Sequence, residues 1–332
     1  MTTSEQYRAA RERAAWIDRS DRARLRVSGP DRAKFLHNLT TNDIKRLAVG
    51  RGCEAFVTSP QGKTLAFVVA HALLDAVLLR ADPGGLGLAL PHLQKYGIFD
   101  DVRLDEVTSE TAEFHVLGPG AAAWLEGVGA TLPESHDLAS IETTAAGVGV
   151  LLLRESPAGV PGFTLIAPEP DAPALFEALR GSGLASLDGE AYEALRIEAG
   201  TPAFGRDVNE KNLPQEMDRD ARAISFVKGC YLGQETVARL DALGHVNKIL
   251  RRLVSRPGDP VPPPGATLEA DGKPVGTITS SAASQGRGAG VALGIVRVSH
   301  SAPGAPATWK RPGDTEAFIL AVDDPPLLPS RP

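Results

Sequence analysis

Two stretches of this chain share one frame. Residues 25–36 read LRVSGPDRAKFL and residues 114–125 read FHVLGPGAAAWL, so both follow Val-x-Gly-Pro-x-x-Ala-x-aromatic-Leu. Each reads as a strand that turns at Gly-Pro into a helix. Proline suits the first helical position, because its missing N–H would be an orphan there anyway. The matched pairs Phe35-Leu36 and Trp124-Leu125 extend the likeness beyond a chance strand–turn–helix and predict two duplicated α+β halves. A chain of 332 residues is also too long for one ordinary core, which points to two or three domains.

Between the two units lies a β-rich block, 51–111. CEAFVT and TLAFVVAH are strand-like, with SPQGK as the hairpin turn, and DAVLLRAD is a third strand. LALPHLQKYGIF then reads as a helix and DDVRLDEV as a strand, an order that resembles a ferredoxin-like sandwich. The GKT at 62–64 is not a phosphate loop, because Val57 stands where that loop needs glycine. Further on, GFTLIAP is a strand, and DAPALFEALRGSG and DGEAYEALRIEAG are helices that stop at glycine. The irregular stretch 201–223 follows, and loops that long in a compact domain usually carry function.

A Pro/Gly-rich boundary, RPGDPVPPPGATL, precedes short strands at KPVGTITS, GVALGIVRV and EAFILAV. They predict a small all-β barrel with SQGRGAG as a hairpin tip. The organisation expected is 1–245 as two α+β lobes with room to interleave, 246–325 as the barrel, and 326–332 as a disordered tail.

Composition excludes several classes. A net charge of -6 gives no overall basic field for a nucleic acid backbone. With two cysteines, Cys53 and Cys230, a disulfide framework is not the stabilising device, and a reducing cytoplasm is the expected setting. No secretory h-region and no run of membrane-spanning length is present. The histidines are scattered and no Cys-x-x-Cys exists, which argues against a structural zinc site.

Two residues invite chemistry. Cys230 lies in KGCYLGQE (228–235), after the apolar run 223–227 read as the end of a strand and before a helix beginning at GQETVARL. Gly229 and Gly233 let the backbone turn sharply. Helix N–H groups and Lys228 would stabilise a thiolate there. A small buried cysteine is the equal alternative. Glu198 sits in the last turn of its helix, where the dipole disfavours a carboxylate. It can accept two hydrogen bonds from a flat N–C–N edge such as that of a pterin. A salt bridge with Arg196 or Arg206, or solvent exposure, is the plainer reading.

KGCYLGQE, together with LPQE, LRIEAG and ARLDALGHVNKILR, resembles the YgfZ-type folate-binding proteins, within the superfamily of the glycine-cleavage T-protein, an aminomethyltransferase. VSGPDRAKFLHNLTTNDI (27–44) is similar to the amino-terminal signature of the same group. The resemblance implies an α+β body of two lobes plus a C-terminal barrel around a central channel that binds tetrahydrofolate. It implies that Glu198 faces the pterin. It also implies that Lys228, Gly229, Cys230, Tyr231, Gly233, Gln234 and Glu235 form a signature loop near the channel, with Cys230 and Lys228 as the working groups. Arg239 becomes a candidate partner for the anionic glutamate tail, a surface arginine being the alternative.

One departure matters. Aminomethyltransferases resemble GGILDDL after the hairpin turn, and one of those aspartates drives folate-dependent transfer. Here Ala66 and Phe67 stand in that place, and neither holds a proton. The expected function is therefore a tetrahydrofolate-binding accessory protein that supports iron–sulfur enzymes or their assembly factors, affecting tRNA modification indirectly and not at a membrane. The alternative is a one-carbon transferase using another acid/base group, for which Asn42-Asp43 and Glu216 are the conspicuous candidates. A module binding tRNA directly is disfavoured by the acidic balance.

Overall fold

The N-terminal helix and first strand do not join the lobe that follows them. In the computed structural model, which describes residues 1–244, 246–311, 313 and 317–323, helix α1 (Thr3–Glu12) and strand β1 (Ala15–Asp18) pack with elements a hundred residues downstream. The stretch expected to be disordered, 326–332, lies outside the described residues. Thr2 and Glu5 close a capping box that starts α1.

The first lobe contains β2 (Ala23–Ser28), α2 (Arg32–Leu39), β3 (Gly52–Thr58), β4 (Thr64–Ala72), β5 (Ala76–Ala81), α3 (Ala89–Tyr96) and β6 (Arg103–Glu106). Its antiparallel sheet runs β3-β4-β5-β2-β6. The second lobe contains β7 (Thr111–Leu117), α4 (Ala121–Gly127), β8 (Ser140–Ala145), β9 (Val148–Arg154), β10 (Gly162–Pro168), α5 (Ala172–Gly181), β11 (Ala185–Ser186) and α6 (Gly189–Glu198). Its sheet runs β11-β1-β7-β10-β9-β8, so β1 crosses into it and the lobes interleave.

The repeated frame marks equivalent places in the two lobes. β2 turns through Gly29-Pro30 into α2, and β7 turns through Gly118-Pro119 into α4. The pattern predicts the prolines at the first helical position, but Pro30 and Pro119 each stand before the helix, which begins at Arg32 and Ala121. The N–H of Arg32 reaches the Gly29 carbonyl at 3.3 Å, and that of Ala121 reaches Gly118 at 3.0 Å. Each proline is thus the second residue of a tight turn, where its fixed φ is equally suited. Both glycines have positive φ, 99° and 112°.

A linker carrying α7 (Asp220–Ala223) and α8 (Gln234–Leu243) leads to the third body. This is a closed barrel of β12 (Lys248–Ser255), β13 (Thr267–Ala270), β14 (Lys273–Ser284), β15 (Ala289–Arg297), β16 (Pro306–Trp309) and β17 (Phe318–Val322). The long irregular stretch is stitched down rather than free. Asp207 binds Arg196, Thr279 and Ser280, while Gln215 donates to the Val237 carbonyl at 2.7 Å. The lobes and barrel meet on an apolar cluster that includes Phe56, Phe67, Ile197, Met217 and Leu293.

The apolar run before KGCYLGQE does not end a strand. Ala223 and Ile224 are buried, but the chain then turns, leaving Phe226 and Val227 exposed. No strand partner reaches them among the described residues.

Candidate functional site

A cavity of about 590 Å³ opens where the two lobes, the linker and the barrel meet. That is within the usual range for a small-molecule site. Among the described residues, eleven arginines, six carboxylates and no lysine line it. In a chain of net charge -6, so cationic a hollow selects anions. The carboxylates are shared: Glu54 pairs with Arg219 and Arg222, and Glu193 with Arg196 and Arg206. Burial by itself raises both acids. The paired guanidiniums outweigh it and hold both below the ordinary carboxylate range. Neither is poised to exchange a proton near neutral pH.

Glu198 lies in this wall, at the end of α6, with its side chain only 4% exposed. Its partner is neither Arg196 nor Arg206. The Tyr7 hydroxyl donates to it at 2.8 and 3.0 Å, and Arg11 pairs with the same carboxylate. Arg11 Nε also donates to the Tyr7 hydroxyl at 3.1 Å. One edge of the guanidinium therefore spans a phenol and a carboxylate. Arg252 of the barrel binds the Glu198 backbone carbonyl, which offsets the unfavourable helix end. Tyr7 and Arg11 were not anticipated from the sequence. They lie four residues apart on one helical face, but nothing local says which carboxylate they meet.

The opposite wall is apolar. Strand alternation turns Phe67 and Val69 of β4 to the cavity and Ala66, Val68 and Ala70 to the core of the first lobe. Phe67 packs on Phe56, ring centroids 5.0 Å apart, and the Arg219 guanidinium lies 5.7 Å from its ring centre. The position compared with the second aspartate of GGILDDL is thus on the cavity wall and carries a phenyl ring.

The residues of 228–239 do not join Glu198. Among the described residues none of them lines this cavity. Lys228 donates to the carbonyls of His37, Thr40 and Asn42 at 2.5, 2.6 and 2.9 Å. Its Nζ also lies 4.6 Å from the Tyr231 ring centre. Burial pushes Lys228 down to about 7, with Asp43 opposing. Its three donors tie the loop to the end of α2. Cys230 is exposed and Cys53 buried, so the buried-core alternative for Cys230 does not hold.

Gly229 and Glu235 face solvent, and Gln234 accepts from the Tyr231 N–H at 3.2 Å within the turn. Gly233 has φ 85° and abuts Gly62 of the β3–β4 turn, which leaves no space for a side chain. Tyr231 packs against the central apolar cluster, and burial raises its phenol. Arg239 is exposed on α8, away from the cavity.

Two further candidates have other work. Asn42 donates to the Glu54 and Arg222 carbonyls at 2.7 and 2.8 Å, and Asp43 lies 3.1 Å from His37 Nδ1. Glu216 is buried, accepts from Asn212 at 2.8 Å and faces a separate small cavity.

Residues 1–227 match the GCVT N-terminal domain, and residues 248–325 match the glycine cleavage T-protein C-terminal barrel domain. The chain is 31% identical over 290 residues to a chloroplastic protein of Arabidopsis thaliana provisionally named a transferase, covering 85% of this chain and 65% of that one. It is 28% identical to the aminomethyltransferase of Streptomyces avermitilis, covering 90% and 82%, and 28% identical to the mitochondrial aminomethyltransferase of Gallus gallus, covering 92% and 79%. The crystal structure of glycine cleavage system aminomethyltransferase T from Bartonella henselae superposes with a TM-score of 0.85 at 21% identity, over 99% of this chain and 90% of that one. That likeness shows the fold.

Proposed function

We propose that this chain, which belongs to the glycine cleavage T-protein family, binds tetrahydrofolate in the arginine-lined cavity and works as an accessory protein rather than as an aminomethyltransferase. The observation that carries the reading is the pairing of Glu198 with a guanidinium at the cavity wall. That carboxylate already accepts from one N–H of a planar cation, and a pterin's 2-aminopyrimidinone edge presents planar N–H donors of the same kind. Phe67 and Val69 suit the flat ring system, and the arginine surplus suits the carboxylates of the glutamate tail. Bound folate would supply a one-carbon carrier. The chain's own residues supply binding, orientation and exclusion of water.

Phe67 supports the accessory role. It occupies a cavity position where a carboxylate would be needed to assist the folate nitrogen, and the arginine pairing of Glu54 and Glu193 leaves those two acids unsuited to replace it. The YgfZ-type role would follow: support of iron–sulfur enzymes or their assembly factors in a reducing cytoplasm, with an indirect effect on tRNA modification. Cys230 is the group available to meet such a partner, because it is exposed and outside the cavity lining. One cysteine cannot hold a cluster alone, so the partner would supply the other ligands. No helix among the described residues is long and apolar enough to cross a membrane.

Two measurements test this. Titration calorimetry should show tetrahydrofolate binding that Glu198→Gln weakens by about tenfold or more. Rescue of a gene deletion, read by an iron–sulfur enzyme's activity and by tRNA methylthiolation, should succeed with wild type and fail with folded Cys230→Ala. Folate-dependent glycine cleavage by the pure chain, with its partner proteins supplied, would remove the accessory reading.

A further inference from the structure

Among the cavity arginines, Arg11 is one of those that reach solvent. Arg80 and Arg196 are locked in buried pairs, with side chains 0% and 5% exposed. Arg11 has 43% of its side chain exposed, and it donates to the Tyr7 hydroxyl and pairs with the Glu198 carboxylate. It sits in the last turn of α1, one residue before the helix ends. Tyr7, one turn earlier, is fixed. It is buried, and a Cβ on Gly286 of the β14–β15 hairpin tip would come within 2.6 Å of its hydroxyl. The helix and the phenol are therefore anchored, while the guanidinium beyond them is free to leave.

We propose that Arg11 is a placeholder: it occupies Glu198 in the free protein and is displaced when a ligand's N–C–N donor edge takes that carboxylate. The proposal rests on the folate reading above and adds a selection rule to it. Without Arg11 the buried carboxylate keeps the Tyr7 hydroxyl but loses its charged donor, so a ligand that brings planar N–H donors replaces Arg11 at the lowest cost. A ligand with carboxylates alone would bind elsewhere among the arginines and leave Arg11 in place. Tyr7 would stay on Glu198 in both states and fix the orientation of its two oxygens.

The test is calorimetry on the full chain at pH 8 with two probes, tetrahydrofolate and p-aminobenzoylglutamate, the tail fragment that lacks the pterin edge. Arg11→Ala should bind tetrahydrofolate about tenfold tighter than wild type, the size expected for one charged hydrogen bond that no longer has to be broken. The tail fragment should bind no tighter, since it reports only the effect of removing one positive charge. The ligand-free variant should melt earlier than wild type, and tetrahydrofolate should raise its midpoint by more. Arg11→Lys, which keeps the charge without the planar edge, should fall between, and it carries the test if the alanine variant does not fold. Equal or weaker binding of tetrahydrofolate by both variants, with wild type binding normally, overturns the placeholder while leaving the folate reading intact. Failure of wild type and variants alike to bind tetrahydrofolate is failure of the folate reading, and the placeholder falls with it.

Discussion

Arg80 of β5 grips Glu113 of β7 across the lobe boundary, Nε to Oε2 at 3.2 Å and Nη2 to Oε1 at 2.6 Å, with both side chains essentially out of water. The same guanidinium reaches Glu155 twice at 2.9 Å, and Arg24 adds a bond to Glu113 at 3.4 Å. Replacing Arg80 by methionine would strand two buried carboxylates. Removing one partner of such a pair costs about 3–5 kcal/mol. Arg24 and Arg22 still face Glu113, so the lower end of that range is expected. Chemical denaturation of Arg80→Met should show a large loss of stability. An unchanged midpoint would mean that the lobes are held by their apolar contacts alone.

The same boundary should make the protein acid-labile. Burial lowers His71 to about 3 and His115 to about 4, and both sit beside this network. Burial alone would raise Glu113, but Arg80 and Arg22 bring it to about 2. All three folded values lie below the unfolded ones, so the unfolded chain binds more protons and stability falls as pH falls. The histidine contribution is complete above about 6.5 and is lost from there down towards 3. The carboxylate contribution follows below about 4.5. Thermal midpoints should drop steadily as pH falls below 6.5. A midpoint that rises between pH 6 and 4 would contradict the burial of these histidines.

The fold was more legible than the site. The strands β3 to β5 and the helices α5 and α6 follow from apolar periodicity and from glycine stops. The hairpin β8–β9 was not read, because its turn passes through Ala146 at φ 50° and Gly147 at φ 80°. Alanine is a poor residue for that conformation and gives no turn signal. Around Cys230, an apolar run was read as a strand, yet Phe226 and Val227 face water. Hydrophobicity says that a segment prefers burial and not that the chain can provide it. The cavity was invisible for a different reason. Its arginines are spread from position 11 to position 287, and only the meeting of two lobes, a linker and a barrel brings them together.

The two thiols should differ sharply in reactivity. Cys230 is exposed in the turn before α8, whereas Cys53 is buried in the first lobe's core. A disulfide reagent should titrate one thiol in the native protein and two in denaturant. Cys230→Ala should abolish the native signal and leave the denatured one. Two fast thiols in the native state would mean that the first lobe opens.

Gly233 should tolerate no side chain. At φ 85° it lies where L-residues are disfavoured, and a Cβ there would overlap the Ser59 carbonyl and crowd the backbone of Gly62. The two chain segments meet backbone to backbone, so no side chain can move aside. Gly233→Ala should destabilise by about 1–3 kcal/mol and loosen the start of α8. Proteolysis near 226–234 gives the readout, and wild-type resistance in the variant would show that the turn adapts.

Lys228 should matter to the loop more than to the thiol's chemistry. Its Nζ satisfies three carbonyls at and just beyond the end of α2, and a helix end without donors is destabilised. Lys228→Met keeps most of the side chain's volume but removes all three bonds. Leaving buried acceptors unpaired costs about 1–3 kcal/mol each at most, and some of it is recovered if water enters. Hydrogen exchange should therefore quicken across 226–233 and at the C-terminal turn of α2. Cys230 should stay reactive, because the lysine's three donors are all engaged by carbonyls at the end of α2. If the variant keeps wild-type exchange but its thiol reacts far more slowly, the lysine acts on the sulfur and the clamp is incidental.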